Sequence, residues 1–197
     1  MEFNLNEMGG SGTVGTVFNS GIAGKVENVK IEVTKKKPEE ADNIPNYKLI
    51  FTDKNGAQIN QGFFYHKNND LYTTDKNKAN AGYLIDRIVS AAKSVVPEGF
   101  VFPDVKGKEV NEIIDILFSI IREHSEDAKV NVFATYGTSD RPSKFLGLRF
   151  FDFIEKGDNT GYSRLVPKGN DMMVRLVEDA PKENTEQSAP TEQPKGW

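Results

Sequence analysis

Cysteine is absent from this 197-residue chain. Disulfides, thiolate metal sites and a cysteine nucleophile are thereby excluded. Histidine is scarce: His66 and His124 stand far apart in sequence, without metal-ligand spacing. No apolar run approaches the ~20 residues that span a bilayer. The opening Met-Glu-Phe-Asn-Leu-Asn-Glu has neither the basic nor the apolar region of a signal peptide. These absences predict a soluble, cytoplasmic protein with no membrane association. A strong charge of either sign is lacking too, the net being −4. Residues 178–197 hold five acids and two lysines, a net of −3, which leaves −1 for everything before them. Any site for a polyanion must therefore be a local patch.

Catalytic patterns are missing as well. Asp53, Asp70, Asp75, Asp152 and Asp158 are scattered, and most of them sit in turns where Asp belongs structurally. Asp152, on the apolar face of a strand, is the exception; it meets water at a rim or pairs with a nearby Lys or Arg. No nucleophile–base–acid spacing, metal motif or cofactor loop accompanies these residues. The run Met8-Gly9-Gly10-Ser11-Gly12-Thr13-Val14-Gly15 lacks the closing Gly-Lys-Ser/Thr of a phosphate-binding loop, and no apolar strand precedes it. Residues 1–20 read as a flexible arm. The expectation is a protein that is not an enzyme and carries no cofactor.

What is present is periodic. Val29, Ile31 and Val33 alternate with polar residues, which is the pattern of a half-buried strand. Lys35, Lys36 and Lys37 close it, at the mouth of a polar loop. Tyr47, Leu49 and Phe51 mark one face of a second strand, and Asp53-Lys54-Asn55-Gly56 is a hairpin turn signal. A third strand runs through residues 58–65. Leu84, Ile85, Ile88, Val89, Ala92, Val95 and Val96 follow helical spacing, and Val110, Ile113, Ile114, Leu117, Ile120 and Ile121 form a second apolar stripe within residues 108–124. Val130, Val132 and Ala134 face one side of a fourth strand, with Lys129, Asn131, Phe133 and Thr135 on the other. Residues 137–143 read as a polar loop, and residues 171–177 as a sixth strand.

The most informative stretch is residues 144–154, Lys-Phe-Leu-Gly-Leu-Arg-Phe-Phe-Asp-Phe-Ile. As one extended strand it places Leu146, Leu148, Phe150 and Ile154 on the core face. Phe145, Arg149, Phe151 and Phe153 then share the opposite face. An Arg among phenylalanines there calls for a cover: a second layer of protein, or a ligand with flat rings and negative charge such as single-stranded nucleic acid. The same face would serve equally to bury a protein partner, in a non-enzymatic structural or interaction module of a virion or replication complex.

Three strands, a helical insertion and two further strands predict a mainly β (α+β) fold: an OB-like five-stranded Greek-key barrel over residues 21–177, with a two-helix insertion between strands 3 and 4 at about residues 80–125. From residue 178 onward Pro, Gln, Glu, Ser and Thr dominate without periodicity, which predicts a disordered acidic tail. The segment Gly21-Ile22-Ala23-Gly24-Lys25-Val26-Glu27-Asn28-Val29-Lys30-Ile31 resembles the first strand of bacteriophage single-stranded DNA-binding proteins. The tail, acidic and closed by the aromatic Trp197, is similar to theirs, although it ends in Lys195-Gly196-Trp197 rather than in acids followed by Phe. This resemblance implies binding to single-stranded DNA in replication, recombination or repair, in the cytoplasm of a bacterial host. It also implies a tail that recruits replication or recombination proteins through Glu178, Asp179, Glu183, Glu186, Glu192 and Trp197. For the DNA itself the candidates are Phe64, Phe133, Phe151 and Phe153 for stacking. Lys35, Lys36, Lys37, Lys129, Arg141, Lys144 and Arg149 are the candidates for phosphate. Phe64 belongs to this set when Phe63 and Tyr65 point inward. Both a monomer and a homodimer remain open.

Overall fold

The computed structural model describes residues 23–37, 40, 45–65 and 74–175. The N-terminal arm and the tail, with Glu178, Asp179, Glu183, Glu186, Glu192 and Trp197, lie outside the described residues. Strands β1 (Gly24–Lys35), β2 (Tyr47–Thr52) and β3 (Gln58–Phe63) form the expected antiparallel meander. The β2–β3 turn closes as its chemistry predicts. The Asp53 carboxylate accepts from the backbone N–H groups of Asn55 (2.8 Å) and Ala57 (2.9 Å), and Gly56 takes a φ of +82°. Helices α1 (Asp75–Val95) and α2 (Val110–His124) follow. Thr74 caps α1 by accepting from Asn77 N–H, so this helix starts several residues before the apolar stripe that announces it. Glu109 and Glu112 form a capping box on α2.

Strand β4 (Lys129–Thr138) then enters beside β1, followed by β5 (Arg141–Leu148) and the short β6 (Ile154–Lys156). The sheet is antiparallel in the order β3-β2-β1-β4-β5, and β6 lengthens the β5 side of β4. The long β1 serves both halves: residues 24–30 pair with β4 and residues 30–35 with β2. The sheet curls until β3 comes against β5 with no ladder between them, which gives a half-barrel. The two helices pack on each other and fill its inner side. Ile88, Ala91 and Ala92 of α1 and Ile114, Phe118 and Ile121 of α2 meet Ile31, Leu49, Phe51, Val130 and Val132 in one apolar core. Each fully buried Val, Leu, Ile or Phe side chain among them contributes about 1.5–3 kcal/mol.

The structure corrects three expectations. Residues 137–143 are not a loop: β4 runs on to Thr138 and turns through Ser139 and Asp140 alone into β5. Residues 171–175 form no strand, only a single bridge between Asp171 and Thr138, and residues 176–177 lie outside the described ones. The third correction concerns residues 144–154, which are not one strand. Leu148 pairs with Ala134 and Ile154 with Val132, so four extra residues are looped out between β5 and β6. Phe133 holds both ends of this excursion: its carbonyl accepts from Arg149 N–H (3.1 Å), and its N–H donates to the Phe153 carbonyl (2.9 Å). An even number of inserted residues leaves Leu146, Leu148 and Ile154 toward the core, as alternation predicts. Inside the bulge alternation no longer applies. Phe150, expected in the core, is half-exposed, and Phe153, expected outside, is buried in the core.

Candidate nucleic-acid interface

Three of the predicted contacts are withdrawn from the surface. Phe133 and Phe153 are buried, and so is Arg149. The Arg149 guanidinium lies 4.2 Å from the centre of the Phe133 ring on the outer face of β4. It donates to the carbonyls of Phe151 (3.0 Å), Asp152 (2.7 Å), Arg164 (2.9 Å) and Val166 (2.8 Å) and to the Asp171 carboxylate (3.0 Å). Those five bonds use every N–H that a guanidinium has. Nothing is left for phosphate in this arrangement. Protein supplies the cover that the aromatic face calls for: Arg149 lies over Phe133 and is held by the carbonyls of Arg164 and Val166, between which Leu165 is buried.

What Arg149 organises is a protruding aromatic tip. By binding the carbonyls of Phe151 and Asp152 it fixes the looped-out backbone, where Asp152 takes a φ of +46°. The Asp152 carboxylate accepts from Lys168 Nζ at 2.7 Å, and that bond holds its pKa below the ordinary Asp range. Phe150 and Phe151 stand edge to face, 4.6 Å between centres, and Tyr83 of α1 meets Phe151 at 5.8 Å. All three rings are about half exposed. Phe145, on the outer face of β5, is 76% exposed.

Beneath the tip lies Arg87, only 8% exposed. Being four residues after Tyr83, it shares that residue's face of α1. Its guanidinium carbon lies 4.4 Å from the Phe150 ring centre, 5.1 Å from that of Phe153 and 5.6 Å from that of Phe63. Among the described residues it donates once, to Gln61 Oε1 at 3.0 Å, and its Nε is buried without a partner. Among the described residues no carboxylate pairs with it. Burial lowers its pKa to about 10, so it remains a cation at neutral pH.

A second group gathers at the end of the meander. Phe63 is buried, Tyr65 packs partly against the core and Phe64 is exposed. Asn46 ties this end together: its carbonyl accepts from Lys36 N–H (2.9 Å) and its side chain from Tyr65 N–H (3.0 Å). Phe64 and the lysine run are thus brought to one end of the sheet. Lys37 is exposed there, whereas Lys35 pairs with Asp115 of α2 at 3.6 Å and lies over the Tyr47 ring. Arg141 and Lys144 are exposed along β5, leading toward the tip. Lys129 is elsewhere, in a cleft of about 430 Å³ with Asn28, Ser94, Asp127, Lys156 and Asp158. Arg87 and Ser94 are seven residues apart in α1, about two turns or roughly 10 Å.

Sequence reasoning missed Tyr83, Arg87 and Phe150. The first two flank an apolar stripe in a helix read as scaffold, and a helix spacing of four was the available signal. Phe150 was hidden by the bulge. No group of three or more His, Asp or Glu among the described residues could hold a metal ion, and no described helix is long and apolar enough to cross a membrane. No protein-family model, curated protein or solved structure matches the chain.

Proposed function

We propose that the chain binds single-stranded DNA without base-specific readout, as an OB-like Greek-key half-barrel. The observation that carries this reading is the cluster Tyr83–Phe151–Phe150, a contiguous set of half-exposed rings on a bulge whose backbone Arg149 holds from behind. Any base presents a flat face to such rings, and each stacked base contributes about 1–3 kcal/mol. Arg141 and Lys144 lie on the strand leading to the tip, and Lys36, Lys37 and Phe64 gather at one end of the β1–β2–β3 meander. The strand order, with one long strand shared between two halves and the helices inserted after the third strand, supports the OB-like reading. A role in replication, recombination or repair goes with that binding mode. The acidic residues 178–197 serve as a tether for partner proteins or as an anionic competitor for the same surface. Their deletion raises DNA affinity if they compete, and leaves it unchanged if they only tether.

Fluorescence-anisotropy titration of a labelled dT oligonucleotide at low and high salt tests the reading, with duplex DNA and RNA as controls. Binding that prefers the single strand and weakens with a log–log salt slope of about −0.7 per neutralised phosphate supports it. No binding at low salt overturns it and leaves the aromatic tip as a protein interface or as packing alone.

A further inference from the structure

We infer that Arg87 is a covered anion site, which receives a backbone phosphate of the strand whose bases stack on the Phe150–Phe151 tip. The inference rests on the proposed function. Four other cations show the usual arrangement: Arg149 has Asp171, Lys25 has Glu155, Lys35 has Asp115 and Lys168 has Asp152. Arg87 is more deeply buried than any of these lysines, yet it has one neutral amide acceptor and an unpartnered Nε. A buried charge ordinarily keeps a counter-charge. Here the missing acid is best explained by one that arrives with the ligand.

Of the three rings around the guanidinium, one is exposed. Phe150 lies over the guanidinium at 4.4 Å and is itself half-exposed, whereas Phe63 and Phe153 are fixed in the core. Rotation of Phe150 about its own side-chain bonds opens the guanidinium without moving α1 or the sheet. The planar donor fork matches a phosphodiester, and the rings beside it match the attached base. The site therefore combines the two contacts a single strand requires, within one turn of α1 and one bulge.

The test compares wild type, Arg87→Gln, Arg87→Lys and Phe150→Ala on two labelled probes, a dT oligonucleotide and an abasic sugar–phosphate oligomer of equal length. Arg87→Gln is expected to weaken both probes and to reduce the log–log salt slope by about 0.7, the loss of one phosphate contact. Arg87→Lys is expected to keep the slope. Phe150→Ala is expected to weaken dT while tightening the abasic oligomer, because it removes a stacking ring and uncovers the cation. Should Arg87→Gln fail to fold, the Arg87 Nε–Hε resonance of the wild type, assigned by its absence in Arg87→Lys, is expected to shift on adding the abasic oligomer. Wild-type binding of dT with an unchanged slope in Arg87→Gln, or with an unmoved resonance, overturns the inference and leaves the proposed function standing. Wild-type binding of dT without binding of the abasic oligomer overturns the inference alone, and absence of wild-type binding to both probes overturns both.

Discussion

Arg149 and Phe133 stack across the bulge that divides residues 144–154 into two strands, with the guanidinium 4.2 Å from the ring centre. The pair joins three parts of the chain: Phe133 clamps both ends of the bulge by backbone hydrogen bonds, while Arg149 binds carbonyls within the bulge and in the covering segment. Arg149 is accordingly structural. Arg149→Ala leaves the Asp171 carboxylate, 1% exposed, without its ion-pair partner. Loss of one member of a buried pair costs about 3–5 kcal/mol. Arg149→Lys is expected to recover only part of this, since an ammonium cannot reach five acceptors from one plane. Urea denaturation of the two variants measures both effects; a loss below about 1 kcal/mol for Arg149→Ala contradicts the role.

The fold was readable wherever alternation ran unbroken. The inward faces of β1, β2 and β4, the hairpin turn at Asn55-Gly56 and both helical stripes follow from side-chain period and turn chemistry alone. The site was not readable in the same way. Period 2 assigns faces only while the ladder is regular, and four looped-out residues exchange the expected places of Phe150 and Phe153. No local signal marks that bulge, because it is fixed by a tertiary contact to residues 164–171 that are remote in sequence. Phe64 was legible for the opposite reason: β3 is regular, so the inward Phe63 dictates an outward neighbour.

Acid stability should depend on Glu155. Its partial burial favours the neutral acid, but hydrogen bonds from Lys25 Nζ, Ser163 Oγ and Asn131 Nδ2 outweigh this and lower its pKa from the ordinary 4.5. A carboxyl with a depressed folded value contributes stability that is complete above the unfolded pKa. That contribution is lost as pH falls through the folded one. Denaturation midpoints at pH 7 and pH 3 are expected to differ less in Glu155→Gln than in the wild type. An equal difference in the two proteins would show that Glu155 carries none of the acid sensitivity.

Tyr47 should fail to ionise where ordinary tyrosines do. Burial raises its pKa first, and the Asp115 carboxylate, 2.5 Å from its hydroxyl, raises it further. An acid with a raised folded pKa contributes stability in full below about pH 10, the ordinary tyrosine value, and loses it as pH climbs toward the folded value. Ultraviolet titration of the folded protein is expected to show fewer tyrosines ionising near pH 10 than in the denatured chain, because burial raises Tyr65 as well as Tyr47. Tyr47→Phe, which removes a hydrogen bond to a charged acceptor, should cost about 1.5–3 kcal/mol.

The sharpest contrast lies among the phenylalanines, where binding and stability should separate by position. Phe133 and Phe153 are buried on opposite faces of the sheet, the first under Arg149 and the second in the main core. Truncating either to Ala opens a cavity and should cost about 3–5 kcal/mol of stability. Phe151 and Tyr83 touch each other at the surface with about half their area in water. Phe151→Ala and Tyr83→Ala should change stability by less than about 1 kcal/mol, since little packing is lost. Each should weaken dT binding by about 1–3 kcal/mol if a base stacks there. The two effects are measured on the same proteins, by thermal melting and by anisotropy. A Phe151→Ala variant that melts like the wild type and binds dT equally well would show that the tip is not where the bases lie, and would shift the search to Phe64 and the lysine run beside it.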